Sequence, residues 1–450
     1  MQIEVFESKF GDENRRAVKF NVAMITFLGG LAIFTFIQLA TSSQSQCQIK
    51  VIESIPIGVA FPSESPTHTS VFNAWLQILS NTKSELRIGS LYWTLRSGDV
   101  VPHSNYTSAV EGETIFNHLK QYLNSGKALH IVNSDSSTGI KYENVTQNDT
   151  HDLMRYGAKL QHLNMKALIG AGVLHTKMWV SDLTNFYLGS ANMDFRSLTE
   201  VKELGIYGLN CPVLSQDIEK IFGVYSLLAQ PNAKIPKEYP QQYDTIYNHT
   251  NPYKTTLDGL DTEVYFASSP PELCPKHRTS DITSMFLLID EATDYIYGSV
   301  MDLIPEYIYA KPITYWGDLF NRFKSAAIDR KVKIKLLISK WKYSPPQMFA
   351  FLQSLQILSQ IQGVDIQIKL FTIPPGPSKP EIPDTRVNHA KYMVNEKRAY
   401  IGTSNWTGDY FKSTCGISAN FKQTPGPNSI QAQVKAVFER DWNSQYAKPL

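Results

Sequence analysis

Two segments of this chain carry the same pattern of residues, and this repeat is the feature that most constrains the fold. Val173–Asp182 reads VLHTKMWVSD, and Val387–Glu396 reads VNHAKYMVNE. Each segment contains His-x-Lys, then four residues and an acid, and each is followed by Gly-x-x-Asn. The histidine and the asparagine are 17 residues apart in the first copy and 16 in the second. Such a repeat predicts two similar halves that contribute jointly to one site.

The remainder of the chain fits a duplicated α/β fold. A chain of 450 residues can form about two to three domains with a large buried core. Short β-type runs alternate with amphipathic helical ones, which favours sheets layered against helices. We expect a first half over residues 48–235, a proline-containing linker over 236–262 and a second half over 263–450. Each half is predicted to be a mixed β-sheet flanked by helices, and the halves to be related by a pseudo-twofold axis.

The N-terminal region predicts a membrane anchor. Residues 21–41 contain no charged side chain, and about twenty apolar residues suffice for a membrane-spanning helix. Arg15, Arg16 and Lys19 precede this run, whereas a neutral polar segment follows it. The positive-inside bias therefore predicts a cytosolic tail over residues 1–20 and a lumenal remainder. A cleaved signal peptide is the alternative, although this run is longer than the usual apolar core of one and starts further into the chain.

Glycosylation sequons and cysteines agree with a lumenal location. Four Asn-x-Thr sequons lie in polar, loop-like contexts after the apolar run, at Asn105, Asn144, Asn148 and Asn248. A fifth match at Asn405 falls within the repeat and is expected to be unmodified. Four cysteines permit up to two disulfides. We favour Cys47 with Cys211 and leave the pairing of Cys274 and Cys415 open.

The geometry of a strand separates the residues of the repeat into two sets. Because side chains alternate between the faces of a strand, His175 shares one face with Lys177, and His389 shares one with Lys391. The two acids, Asp182 and Glu396, have the wrong parity for that face. They are candidates either for catalysis or for a structural role at the hairpin turn that follows. A hairpin would return Asn192 and Asn405 to the histidine end of each copy.

This set of side chains suits chemistry at a phosphoryl group. Lysines supply positive charge and asparagines supply N–H donors for phosphate oxygens, which makes Lys177, Lys391, Asn192 and Asn405 candidate phosphate ligands. One histidine can attack phosphorus while the other protonates the leaving oxygen and then activates water. This chemistry needs no cofactor or metal, and we predict none. The net charge of +2 is nearly balanced, so any polyanion site must be local.

The repeat resembles the His-x-Lys-(x4)-Asp motif of the phospholipase D superfamily. The finer resemblance is to its membrane-anchored lysosomal branch, in animals, whose members act as 5′ exonucleases on single-stranded DNA and RNA. It is carried by the two copies together with VIESIP at 51–56, LYWTL at 91–95 and VKELG at 201–205. The resemblance implies a type II membrane protein that passes through the endoplasmic reticulum and Golgi to the lysosome. Its substrate would be single-stranded nucleic acid, and a homodimer is left open.

Two other functions compete with the exonuclease. A lipid phosphodiesterase or transphosphatidylase, producing bis(monoacylglycero)phosphate, would use the same phosphohistidine and act on a glycerophospholipid. A non-catalytic membrane protein on the same scaffold should have lost a histidine or lysine from one copy, and this chain retains them all.

The order of the two histidines depends on a carboxylate outside the repeat. In the superfamily, an acid about 25–28 residues after the histidine often binds the far nitrogen of its ring, and such a partner favours the cationic phosphoimidazole. Glu203 stands at that distance from His175, whereas the corresponding place after His389 is near Thr414. We therefore hypothesise that His175, oriented by Glu203, is the nucleophile and that His389 is the acid.

Overall fold

The computed structural model describes residues 20–23, 36–39, 46–101, 104, 106–135, 148–378 and 381–450. The chain divides into two compact units, Met1–Gln46 and Cys47–Leu450. In the first unit, strand β1 (Phe20–Ala23) pairs with β2 (Phe36–Leu39) in antiparallel register.

The predicted membrane helix over residues 21–41 lies largely outside the described residues. At its two described ends the structure has the strands β1 and β2 instead of helix, and their backbone groups pair with each other. Within the part of the chain that is described, no helix has the length and apolar character needed to cross a membrane.

The first part of the second unit is built around a sheet of eight strands. Its elements include an N-terminal strand, a run of parallel strands and the hairpin that carries the first copy of the repeat. The elements are β3 (Gln48–Ser54), β4 (Thr69–Ser70), α1 (Val71–Asn81), β5 (Glu85–Ser90), β6 (Trp93–Thr94), α2 (Val110–Asn124), β7 (Ala128–Ser134), α3 (Asn148–Arg155), β8 (Lys159–Leu163), α4 (Met165–Ile169), β9 (Met178–Ser181), β10 (Asn185–Gly189), β11 (Met193–Asp194), α5 (Phe195–Thr199), β12 (Glu203–Leu209) and α6 (Pro212–Leu228).

The second part of the same unit contains a larger sheet, its helices and a separate pair of short strands. Its elements are β13 (Tyr253–Leu257), β14 (Leu260–Ser269), β15 (Thr279–Ser280), α7 (Asp281–Glu291), β16 (Tyr295–Val300), β17 (Glu306–Tyr307), β18 (Thr314–Tyr315), α8 (Asp318–Asp329), β19 (Lys333–Ser339), α9 (Pro346–Gln356), β20 (Ile366–Phe371), β21 (Tyr392–Asn395), β22 (Arg398–Gly402), α10 (Gly408–Lys412), β23 (Gly416–Gln423), α11 (Ile430–Asn443) and β24 (Ala447–Pro449).

The two sheets repeat one strand order. The first runs β4-β3-β12-β10-β9-β5-β7-β8, and the second runs β13-β14-β23-β22-β21-β16-β19-β20-β24 with β15 beside β14. In both, parallel strands follow helical crossovers while the remaining long neighbours are antiparallel. The predicted α/β fold of mixed sheets and helices is confirmed. The second sheet starts with β13, which lies inside the predicted linker 236–262. The sequence did not indicate this strand because β13 is partly exposed and lacks the apolar run of the other strands.

Apolar side chains are buried in three principal clusters. One belongs to the first sheet and its helices, with Trp75 and Leu119 among its members, and a second, with Phe323, belongs to the second sheet. A third cluster contains residues of both sheets; for example, the ring centroids of Phe186 and Phe266 are 5.8 Å apart. Because this shared cluster includes residues of β10 and β22, the two sheets are held face to face at the strands that carry the repeat.

A disulfide closes the first sheet, between the start of β3 and the start of α6. It joins Cys47 to Cys211 across 164 residues, so the preferred pairing is confirmed. Cys274 and Cys415 are free thiols. A cross-link over so long a loop restricts the unfolded chain and typically contributes about 2–4 kcal/mol to stability.

Candidate active site

The main chain at each histidine is held by the opposite half of the molecule. The N–H of His175 donates to the carbonyl of Cys415 (3.0 Å), and the N–H of Cys415 donates to the carbonyl of Val173 (2.9 Å). In the same way His389 donates to Lys202 (2.8 Å), and Lys202 donates to Val387 (3.0 Å). Neither histidine is therefore in place unless both halves are folded together.

The hairpins of the repeat form as predicted, but they begin later than expected. In the first, Leu188 pairs with Met178; in the second, Ile401 pairs with Tyr392. His-x-Lys itself precedes β9 and β21 in each copy. The difference arises because Leu174 and Asn388 form bridges with the other half, to Cys415 and Lys202, instead of extending their own hairpins.

The two imidazole rings lie opposite each other in a nearly enclosed site. Their centroids are 6.4 Å apart, which leaves room for one phosphoryl group between a nucleophile and an acid. His175 is 6% exposed and His389 is 9% exposed. The ring of Tyr410 packs edge-to-face on His175 at 5.0 Å, so the nucleophile candidate has little freedom to rotate.

His175 is bound through its ring by a main-chain carbonyl. Its Nδ1 lies 2.9 Å from the carbonyl oxygen of Thr403, and because a carbonyl can only accept, we assign the proton to Nδ1. Lys177 Nζ lies 3.0 Å from the same nitrogen, and in this assignment the ammonium donates to the carbonyl of His175 at 2.6 Å. This tautomer leaves the lone pair on Nε2.

Glu203 binds His389 and not His175, so the hypothesis that it orients His175 is wrong. Its carboxylate accepts from Nδ1 of His389 at 2.9 and 3.1 Å and from the hydroxyl of Ser197 at 2.8 Å. The cause is the exchange of main-chain bonds between the halves: Lys202 pairs beside His389, so the next residue projects toward that ring. The equivalent position beside His175 follows Cys415 and is Gly416, which has no side chain to offer.

Burial and neighbouring charges lower the pKa of both histidines. For His175, burial has the largest effect, and Lys177 and Lys391 add to it, so its pKa lies well below the ordinary value. For His389, burial lowers the pKa to about 4 although Glu203 acts in the opposite direction. Burial raises the pKa of Glu203, but His389 and Lys391 outweigh this and hold it below its usual value. Before substrate binds, both rings are therefore neutral near neutral pH.

The two lysines are fully enclosed in the site. Each ammonium donates to the carbonyl of the histidine two residues before it. Burial lowers the pKa of Lys177 well below its usual value, and repulsion by Lys391 adds to this effect. Burial lowers the pKa of Lys391 to about 7, against the attraction of Glu203 and Asp302. A bound phosphodiester anion would favour the charged form of both.

The two asparagines return to the site but face different partners. Asn192 Nδ2 donates to the hydroxyl of Tyr92 (3.3 Å), whereas Asn405 Nδ2 donates to the carboxylate of Asp302 (3.0 Å). Their role as phosphate ligands stays a prediction.

Sequence reasoning missed Asp302, Tyr410 and the carbonyl of Thr403. Burial raises the pKa of Asp302 to about 6 although Lys391 lowers it. Asp302 could have been found by extending the repeat, since it follows β16 by two residues just as Tyr92 follows β5. The carbonyl of Thr403 leaves no signal in a sequence, because every residue has one.

Asp182 and Glu396, included among the predicted catalytic residues, are not brought to the histidines. The carboxylate of Asp182 accepts from the main-chain N–H groups of residues 83, 84 and 85 at 2.5, 3.0 and 2.9 Å. Glu396 accepts from the N–H and hydroxyl of Thr293 at 2.7 and 2.8 Å. Both acids therefore hold the turn of their hairpin to the segment that leads into the neighbouring strand of the sheet. This is the structural role that was the alternative to catalysis at these positions.

Of the four predicted glycosylation sites, two lie among the described residues. Asn105 and Asn144 lie outside the described residues. Asn148 begins α3, and Asn248 lies in a partly exposed turn in which its Oδ1 accepts from the N–H groups of Thr250 and Asn251. Among the described residues, no group of three or more His, Cys, Asp or Glu side chains is placed to hold a metal ion.

Comparison with known proteins identifies relatives over most of the chain. The family described as "PLD3/4, PLD-like domain" matches residues 62–376. The chain is 41% identical over 406 residues to the 5′-3′ exonuclease PLD3 of Xenopus laevis, covering 89% of this chain and 81% of that protein. It is 39% identical over 417 residues to the 5′-3′ exonuclease PLD4 of Mus musculus, with 91% and 81% covered. The crystal structure of a phosphatidylserine synthase from Haemophilus influenzae Rd KW20 shares the fold, with a TM-score of 0.56, 11% identity and 90% of each chain covered.

The charge on Lys391 predicts a pH dependence of substrate capture. Its pKa of about 7 means that the ammonium is present below that pH and is lost as the pH rises through it. His389 is the assigned acid and its pKa is about 4, so kcat/KM of the free enzyme already declines above that pH. Loss of the Lys391 charge should steepen this decline above pH 7, by about a further tenfold for each unit. In Lys391→Arg the guanidinium stays charged, so the steeper decline should move to higher pH even if the rate is lower. Lys422→Arg, at an exposed position, is the control. A Lys391→Arg profile that steepens at the same pH as wild type would contradict this assignment.

Proposed function

Because this chain belongs to the PLD3/4 family of phospholipase D-like proteins, we propose that it is a phosphodiesterase that removes nucleotides from the 5′ end of single-stranded DNA or RNA. The observation that carries the proposal is the pair of opposed histidine rings at 6.4 Å, flanked by two buried lysines. The two repeated sheets support an interpretation as pseudo-twofold halves, with this pair of rings between them.

In the first step His175 attacks and His389 protonates. The lone pair on His175 Nε2 forms a bond to phosphorus, and the bond from phosphorus to the leaving oxygen breaks. His389, which gains its proton as the bound anion raises its pKa, transfers that proton to the leaving oxygen. Lys177 and Lys391 stabilise the negative charge on the non-bridging oxygens, and Asn192 and Asn405 are proposed to help them.

In the second step water completes the reaction. Neutral His389 accepts a proton from water, the hydroxyl oxygen bonds to phosphorus, and the bond from phosphorus to His175 breaks. Glu203 stabilises the imidazolium of His389 each time that ring carries the proton. Among the described residues His175 has no carboxylate partner, and its neutral Nε2 is suited to attack. The order of the histidines in the original hypothesis is kept, but the reason is reversed, because the carboxylate belongs to the acid.

A row of aromatic rings supports a nucleic-acid substrate. Tyr410 packs on His175, and Tyr309 lies 6.3 Å beyond it. Tyr309 is 63% exposed, so a base could stack on it while the adjoining phosphate reaches the histidine. By contrast Trp93, Trp179 and Trp406 are core residues with 0–1% exposure.

A lipid substrate is the second candidate, and the same region supports it. Ile313 and Tyr315 are exposed on the segment that follows Tyr309, and exposed apolar side chains on this segment could contact an acyl chain. Discharge of the phosphohistidine onto a lipid alcohol instead of water would give transphosphatidylation. The names of the relatives favour the nucleic acid.

The cellular setting is proposed from the sequence. The uncharged run over residues 21–41 and the four sequons support a type II membrane glycoprotein. Delivery through the endoplasmic reticulum and Golgi to the lysosome rests on the family resemblance, and a homodimer stays open.

The direction of attack on a strand gives the first test. A labelled single-stranded oligonucleotide should be shortened progressively from a free 5′ end at acidic pH, and a bulky group on that end should stop the reaction. His175→Ala should lower the rate by at least about 1,000-fold, while Asp182→Asn, at a turn, should retain activity in its folded fraction. Turnover of a glycerophospholipid with no action on the oligonucleotide would reject the exonuclease in favour of the lipid reaction.

The choice of leaving group separates the two histidines. A p-nitrophenyl nucleotide diester releases a stable anion that needs no proton, whereas a dinucleotide releases an alkoxide that does. We expect His389→Ala to lose at least about 100-fold more activity in the first step on the dinucleotide than on the p-nitrophenyl ester. The first step is measured as kcat/KM or as the burst of released leaving group, because hydrolysis of the intermediate needs His389 with either substrate. His175→Ala should lose both activities alike. If His175→Ala shows the selective loss instead, the assigned order is reversed.

A further inference from the structure

We propose that Asp281, a buried carboxylate at the start of α7, positions the nucleophile His175 through the loop Thr403–Asn405. It is a positioning residue and does not touch the ring itself. The inference rests on the proposed role of His175 as the nucleophile.

The link from Asp281 to His175 is short and continuous. Asp281 is completely buried. Its carboxylate accepts from the hydroxyl of Ser404 at 3.1 Å and from that of Tyr400 at 3.0 and 3.2 Å. Ser404 directly follows Thr403, whose carbonyl accepts from Nδ1 of His175 at 2.9 Å. Holding Ser404 therefore determines where the carbonyl that sets the tautomer of His175 is placed.

The first half of the molecule carries different residues at the two corresponding positions. There α1 begins with Val71 where α7 begins with Asp281. Ala191 occupies the place of Ser404, since the repeat reads Gly-Ser-Ala-Asn in one copy and Gly-Thr-Ser-Asn in the other. Asp281 and Ser404 are therefore both specific to the half whose loop binds His175.

The two halves thus place one buried carboxylate each, by different routes. The first uses Glu203 from β12, which reaches across to His389 directly. At the equivalent position the second half has Gly416, where a Cβ would lie 2.2 Å from the hydroxyl of Ser404. The Ser404 hydroxyl occupies the space that a side chain at position 416 would need. The carboxylate that binds this hydroxyl is that of Asp281, from α7. His389 is paired with a carboxylate directly, and His175 with a neutral carbonyl whose loop is held by the carboxyl group of Asp281.

The groups around Asp281 determine whether the charge of its carboxylate is compensated. In the described part of the chain no lysine, arginine or histidine lies within ion-pair distance of it. The titratable groups whose charges interact with it are Tyr225, Tyr265, Cys274 and Tyr400. Burial raises the pKa of Asp281 to about 6, although hydroxyl donors lower it. A carboxylate without a countercharge is costly to bury, which makes a purely space-filling role a poor explanation for it.

A double-mutant cycle in the full-length protein tests the link. Asp281→Asn and Ser404→Ala should each lower kcat on the single-stranded oligonucleotide by about tenfold, with KM changed by less than about threefold, because a small misplacement of a reacting group is costly. The double variant should be no slower than the slower single variant, since both changes break one link. Ser404→Ala introduces the residue found in the other half, so it should fold even if Asp281→Asn does not.

Two further measurements distinguish positioning from a general structural role. Tyr400→Phe removes a partner of Asp281 outside the loop, and we expect its kcat to stay within about twofold of wild type. Nitrogen NMR of His175 should show a single Nδ1–H tautomer in wild type and a mixture in Ser404→Ala. Additive losses, an unchanged kcat in Ser404→Ala or a single tautomer in that variant would overturn the inference. A wild-type protein inactive on the oligonucleotide would instead refute the proposed function, and the NMR result would still decide the link.

Discussion

The exchange of main-chain hydrogen bonds between the two halves is the constraint on which the site depends. His175 is bonded to Cys415 and His389 to Lys202, so each reactive ring is placed by the sheet that does not carry it. The shared apolar cluster between the sheets stabilises the same arrangement. A site built this way is rigid, because moving either ring would require separating two large buried surfaces.

The same exchange makes the two histidines chemically unequal. The residue that follows Lys202 is Glu203, and it meets His389; the residue that follows Cys415 is Gly416, and the carbonyl of Thr403 meets His175 instead. One ring is therefore supported while it holds a proton, and the other is kept neutral with a free lone pair. A duplicated scaffold has become a site with an acid and a nucleophile through differences at a few positions outside the repeat.

Much of the fold could be predicted from the sequence, because apolar periodicity and the repeat are local patterns. The hairpins, the alternation of strands with helices and the Cys47–Cys211 disulfide were all expected, and each is present. The partner of Glu203 could not be predicted by counting residues along one half, since the contact crosses to the other. Asp302 and the carbonyl of Thr403 were missed for a related reason: their roles arise only when loops distant in the chain are brought together.

The site of the covalent intermediate tests this account most directly. Wild-type protein mixed with a single-stranded substrate would be quenched within milliseconds at alkaline pH, where phosphohistidine survives, and the modified peptide identified by mass spectrometry. We expect a nucleotide bound through phosphorus to His175, present in Glu203→Gln and absent in His175→Ala. An adduct on His389, or turnover with no adduct on either histidine, would contradict it.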